Sequence, residues 1–179
     1  MVAYRRSRIP SAPYFLTVVL RDRGSRLLLD HLDQLRGAFR CAATAHPFQL
    51  DAVVILPDHF HLLCTLPDGD ADFSARVQML KRRFTFGLVR GGVKVRMNER
   101  GEADVWQHRF REHTIRDDDD FARHVAYIHF NPVKHGLVGA VRDWPHSSFH
   151  RYVRQGLVQE DWGGGGEPLR AEPATPVAE

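Results

Sequence analysis

The chain has 179 residues, 43% of them hydrophobic and 26% charged, which favours one globular domain with a sizeable core. No run of eighteen apolar residues occurs, so no membrane span is expected, and the basic start Met1–Arg8 leads into Ile9-Pro10-Ser11-Ala12-Pro13, not an apolar secretion core. Cys41 and Cys64 lack CxxC or CxxH spacing, which argues against a zinc finger or disulfide framework and fits a cytoplasmic location.

In chain order, Tyr14–Leu20 is rich in β-branched and aromatic residues and predicts a buried strand, broken by Arg21-Asp22-Arg23-Gly24. Leu28, Leu32, Leu35, Phe39 and Ala42 recur at helical spacing and predict a helix over Leu27–Ala45, stopped by His46-Pro47. Phe48–Leu56 predicts a second strand and His59–Leu66 a third, with Pro57-Asp58 as the tight turn of a hairpin. Asp72 or Ser74 can cap a helix reaching to about Leu88, with Phe73, Val77, Leu80, Phe84 and Leu88 on one face.

Gly91–Asp104 reads as a polar loop or weak edge strand, and Trp106–Arg116 as the site of another short strand. Asp117–Asp120 opens a helix, where carboxylates complement the positive end of the dipole. Asn131-Pro132 is expected to close it, because proline disfavours helical geometry in the residue before it. Val133–Val141 predicts a further short helix, and Trp144–Phe149 a segment that packs the C-terminal part back. Residues 1–162 then form the domain, and the Gly/Pro/Ala/Glu-rich stretch 163–179 a disordered tail. The order of elements predicts an α+β fold: a ferredoxin-like antiparallel sheet with helices on one face, plus a C-terminal extension.

Four residues stand out chemically. His59 and His61 project from one face of a strand, with Phe60 pointing into the core behind them. Two imidazoles so held can bind a divalent cation, although a pair of ordinary histidines in an amphipathic strand has the same spacing. Tyr127 and Asn131 are four apart and share one face of the last long helix. The phenol can act as a nucleophile and the carboxamide as a third metal ligand. Equally, Tyr127 suits a helix surface and Asn131 a helix end before proline. Two His, one amide and one Tyr match the inventory of an enzyme that breaks a DNA strand through a phosphotyrosine link. His113, His124, His129 and His135 are neighbouring candidates for phosphate contact or proton transfer, beside their ordinary use as solvated or structural histidines.

Formal net charge is +3, and the tail's three glutamates against Arg170 leave about +5 on the remainder. Only Lys81, Lys94 and Lys134 among the 25 basic residues are lysines. Arginine's planar fork suits phosphates, and a GC-rich genome also favours it. Candidate phosphate contacts are Arg5, Arg6 and Arg8, then Lys81, Arg82 and Arg83, then Arg109 and Arg111.

As an ordered set, Tyr4-Arg-Arg, Leu56-Pro-Asp-His-Phe-His61, Trp106-Gln107 with Arg109-Phe110 and Glu112-His113, Tyr127-Ile-His-Phe-Asn-Pro-Val-Lys-His-Gly136 and Asp143-Trp-Pro-His-Ser-Ser-Phe-His150 resemble the REP-associated tyrosine transposases of the HUH superfamily. The resemblance covers roughly residues 3–163. It implies the HUH nuclease fold and cleavage and rejoining of single-stranded DNA through a 5′-phosphotyrosine, with Mg²⁺ or Mn²⁺. The DNA would be a repetitive palindrome hairpin with a short single-stranded flank. By position, Tyr127 would be the nucleophile, and His59, His61 and Asn131 the metal ligands. A monomer or homodimer in the bacterial cytoplasm, nucleoid-associated through DNA and without a membrane partner, would follow. Gly91–Asp104 looks like a lineage-specific insertion. Two rivals remain at this point: a hairpin-binding protein without catalysis, and a metal-dependent hydrolase that uses water.

Overall fold

The computed structural model describes residues 9–163. Arg5, Arg6, Arg8 and the tail from 164 onward lie outside the described residues. Four strands form one antiparallel sheet: β1 (Pro13–Val19), β2 (Gln49–Ile55), β3 (His59–Thr65) and β4 (Arg111–Thr114), in the spatial order β2-β3-β1-β4. That order inserts β3 between β1 and β2, the split βαβ arrangement of the expected ferredoxin-like fold.

Helices α1 (Leu27–Asp30), α2 (Leu32–Ala45) and α3 (Phe73–Arg90) follow the predicted pattern, with one break. The stretch 27–45 is two helices because the backbone leaves helical geometry at His31 (φ −123°). Asp72 caps α3, accepting the Ala75 N–H at 3.1 Å. Tyr14, Leu16 and Val18 of β1 and Phe60, Leu62 and Cys64 of β3 alternate onto the face covered by α2 and α3, where they meet Leu35, Leu80 and Phe84. Burial of a side chain such as Phe60 stabilises by about 1.5–3 kcal/mol.

Helix α4 (Asp118–Lys134) lies on the opposite face. The expectation of helices on one face thus holds for α2 and α3, while α4 is an added layer. Its reason is in the strands: Ala52, Val54 and Leu63 point away from the first core and are themselves buried, against Val125 and Ile128. A strand buried on both faces needs a cover on both.

Pro132 does not end α4. It sits in the last turn, and the chain continues to Lys134. The stop is Gly136 at φ +67°, whose N–H bonds the Val133 carbonyl while the Leu137 N–H bonds that of Pro132. This is a Schellman closure, which the left-handed glycine permits. The helix expected over 133–141 is accordingly absent, and one 3-10 turn forms at Val141–Asp143.

The C-terminal segment packs back as predicted and seals the β2 edge. The Ile55 N–H bonds the His146 carbonyl at 2.8 Å, the Ser148 N–H bonds that of Val53 at 2.8 Å, and Trp144 Nε1 donates to Ile55 O at 3.0 Å. From α5 (Phe149–Arg154), Arg151 donates to the Leu50 and Asp51 carbonyls. No described helix is long and apolar enough to cross a membrane.

Candidate active site

His59 opens β3 and His61 follows two residues on, so both imidazoles leave the sheet on the α4 side, opposite Phe60. The turn before them is tied at three main-chain points. The Leu56 N–H bonds His59 O at 2.9 Å, the Leu20 N–H bonds Asp58 O at 2.8 Å, and the Leu28 N–H bonds Pro57 O at 3.2 Å. Both histidines are buried, at 5% and 4% exposure.

Each ring is oriented by a polar partner on Nδ1. For His59 it is the Asp58 carboxylate at 2.7 Å, which is itself gripped by Arg23 at 2.6 Å. For His61 it is Thr17 Oγ1 at 2.9 Å, directly across the β1–β3 ladder. With Nδ1 so engaged, each Nε2 is the nitrogen that points onward. Burial lowers the pKa of both rings; at His59 the Asp58 carboxylate opposes that shift, and at His61 the neighbouring His59 adds to it. Neutral imidazoles with one nitrogen anchored and the other bare are metal ligands in waiting.

Helix α4 brings the rest. Asp117 caps it by accepting the Asp120 N–H at 2.7 Å. Tyr127 meets His61 ring to ring at 5.2 Å, nearly edge-on, and His135 meets His59 at 5.2 Å. Asn131 lies midway between Tyr127 and His135 in sequence, on the same helical stripe. It is 0% exposed, and neither its Oδ1 nor its Nδ2 has a partner. The Nε2 of His61 is likewise buried and unpaired. A buried carboxamide with nothing to bond costs roughly 1–3 kcal/mol. Of these orphaned atoms, His61 Nε2 and Asn131 Oδ1 have lone pairs to offer and fit a divalent cation.

The structure therefore brings Tyr127, His59, His61 and Asn131 to one face of the sheet. The predicted phosphate contacts divide. Arg111 pairs with Thr17 in the ladder and shares the site's sheet face. Arg109 is exposed just before it. Arg82 and Arg83 are exposed on α3, which packs on the other face. Lys81 turns inward, donating to Gln107 O at 2.9 Å beside the Trp106 and Phe110 rings. Its ammonium braces the approach to β4.

Sequence reasoning missed Thr17, Arg23 and Asp58 as orienting partners, and Lys134, whose Nζ stands 4.9 Å from the centre of the Tyr127 ring. Asp58 had a signal, a carboxylate next to a candidate ligand histidine. The other three depend on strand register and helix phase. His129 is structural: it is buried and paired with Ser148 Oγ at 2.9 Å. A cleft of about 680 Å³ is lined by Arg21, Arg23, Lys94, Arg96 and Asp104, together with Leu20 and Val105 of the α2/α3 core. Arg23 joins that cleft to Asp58.

No family model matches the chain. Sequence relatives do. A REP-associated tyrosine transposase of Escherichia coli K12 is 44% identical over 164 residues, covering 92% of each chain. A relative with the same family name from Haemophilus influenzae is 45% identical over 166 residues, 92% of this chain and 94% of its own. The chain belongs to the REP-associated tyrosine transposases. A solved REP-associated tyrosine transposase bound to a REP hairpin superposes over 100% of both chains, with a TM-score of 0.84 and 41% identity. The α+β architecture is therefore that of the family, and the chain is a tyrosine transposase by membership.

Proposed function

We propose that this REP-associated tyrosine transposase cleaves and rejoins single-stranded DNA beside REP-type hairpins, with Tyr127 as nucleophile and residues 1–162 as the working domain. The observation that carries the assignment of residues is the Tyr127 ring set against His61, with His61 Nε2 and the Asn131 carboxamide buried and unpaired beside it. His59, His61 and Asn131 would hold Mg²⁺ or Mn²⁺, which when bound polarises the phosphate and stabilises charge on the leaving oxygen. Imidazole ligands suit Mn²⁺ better than Mg²⁺.

The chain's own groups do the rest. Tyr127 Oη attacks the phosphorus and gives up its proton, and the P–O3′ bond breaks. One strand end leaves as a 3′-hydroxyl, and the other stays attached to Tyr127 through its 5′-phosphate. Attack by a 3′-hydroxyl on that phosphate reverses the exchange, one ester replacing another, so no ATP is required. Lys134 puts a positive charge beside the phenol as negative charge develops on its oxygen. Asp58 and Thr17 hold the imidazoles in the tautomer that leaves Nε2 free.

Arg111 on the site face and the cleft of Arg21, Arg23, Lys94 and Arg96 supply cations for the DNA backbone. This gives the 91–104 segment a role, since Lys94 and Arg96 belong to it. Work on DNA places the protein in the cytoplasm with the nucleoid. The test is a labelled hairpin with a single-stranded flank, incubated with Mn²⁺ or Mg²⁺ and run on a denaturing gel. A covalent protein–DNA band that disappears in Tyr127→Phe is expected. Cleavage with no such band would replace Tyr127 by water. An adduct that persists in Tyr127→Phe would move the nucleophile to another tyrosine.

A further inference from the structure

A second group of metal-binding side chains lies next to the site yet apart from it. His113 is on β4, and Asp120 and His124 are one turn apart near the start of α4. One ligand atom from each lies within 4.8 Å of the other two. The Phe15 ring separates them from the first site, 5.4 Å from His61 on one side and 4.7 Å from His124 on the other. From this arrangement we infer that His113, Asp120 and His124 form a second cation site, taking a transition ion such as Zn²⁺ or Co²⁺ and tying the edge strand to the helix that carries Tyr127.

Asp120 is buried between the two histidines. Its Oδ2 accepts from His113 Nε2 at 2.8 Å and from the Arg116 N–H at 3.1 Å, and its Oδ1 lies 3.2 Å from His124 Nδ1. His124 Nδ1 also reaches the Asp120 carbonyl at 2.8 Å. The two rings stack at 4.7 Å, only 16° from parallel. Stacking of that kind suits neutral imidazoles, the form a metal requires. Burial lowers the pKa of His124. The Asp120 carboxyl is held low against its own burial, by the bonds from His113 and the Arg116 N–H. The Asp120 carboxylate and the neutral His124 ring are thus the forms that a metal binds. Each imidazole can carry its one proton on the ring nitrogen not used for the ion.

Two nitrogens and one carboxylate oxygen are a zinc-like donor set, with water to complete it. His113 is about a third exposed at its side chain and His124 about a sixth, which leaves an entry path. One group opposes an ion: the Arg123 guanidinium, 3.4 Å from Asp120 Oδ1. Its side chain is 46% exposed and the contact is long, so the guanidinium can turn to solvent and leave the buried Asp120 carboxylate to the ion.

The experiment is Zn²⁺ titration of the chelator-stripped full chain by calorimetry, repeated with Co²⁺ by visible absorption. In the His59→Ala/His61→Ala background, one equivalent of Zn²⁺ is expected to remain, with a rise in Tm on binding. Adding His113→Gln and His124→Gln to that background is expected to remove it. Circular dichroism of the metal-free variants checks that they fold. Arg123→Ala keeps all three ligands and is expected to tighten Zn²⁺ several-fold. No binding in the His59/His61 background, or binding that survives loss of His113 and His124, would overturn the second site. Neither outcome bears on the Tyr127 adduct, which is read separately.

Discussion

His59 and His61 are oriented through Nδ1 by Asp58 and Thr17. Removing such a partner typically costs 10–100-fold in metal affinity or activity. Thr17→Val is therefore expected to weaken Mn²⁺ binding by about that factor, read by calorimetry, with the fold unchanged. An unaltered affinity would mean that Thr17 does not set the tautomer. His59→Ala or His61→Ala is expected to abolish metal-dependent cleavage and leave metal-free stability close to wild type. A large drop in metal-free Tm would instead make these histidines core residues. The pairing of the two histidines was legible, because period 2 places them on one face. The Thr17 contact was not, since it spans 44 positions and depends on the register of β1 against β3. The Lys81 contact with Gln107 was not legible either: a cluster of cations in sequence says nothing about which one turns inward.

At the scale of the element, α4 carries Tyr127 and Asn131, the proposed nucleophile and third ligand, and its ends decide their placement. Gly136 is at φ +67° with open space around an added Cβ, so Gly136→Ala tests conformation alone. A loss of about 1 kcal/mol in chemical denaturation is expected. No change would mean the closure is not strained by a side chain. Pro132 looked like the stop because its effect on the preceding residue is a local rule. A helix's last turn tolerates it here, and the end is set by the next left-handed residue. The α4–α5 contact adds a pH response. Burial depresses the His129 pKa from 6.5 to about 4, so the unfolded chain binds the extra proton between those values. Stability must fall as pH drops through that window, by on the order of 3 kcal/mol from this group. His129→Gln, which keeps a partner for Ser148, is expected to shallow the decline between pH 7 and pH 4 in urea titrations. An identical slope would show that His129 does not titrate this way.

Over the whole molecule, the βαββαβ order was readable from periodicity and turn residues, while the layer to which α4 belongs was not. Its placement follows from the residues of β2 and β3 that are apolar toward the uncovered side, a property of the assembled sheet. The charge distribution leads to a prediction about substrate form. Cations on the site face and in the adjoining cleft imply affinity that falls linearly in log–log with salt, at about −0.7 per phosphate neutralised on a single strand. A paired strand would obstruct the in-line approach of Tyr127 to one phosphate. Cleavage is therefore expected beside a hairpin and not within a perfect duplex of the same sequence, compared at equal salt and metal. Equal cutting of both would point to an ordinary metal-dependent nuclease.

The histidine pair rides β3, a strand with a hydrogen-bonded neighbour on each side, a helical layer above and another below. Tyr127 rides α4, whose first half is open to solvent at Asp118, Asp119, Ala122 and Arg123. Opening α4 alone leaves β3 intact, whereas freeing β3 means dismantling the whole sheet. In native-state deuterium exchange, the amides of 60–64 should therefore report the global unfolding free energy, and those of 121–131 a smaller one. The proposed nucleophile then sits on a part of the molecule free to yield, while the two imidazoles stay where they are.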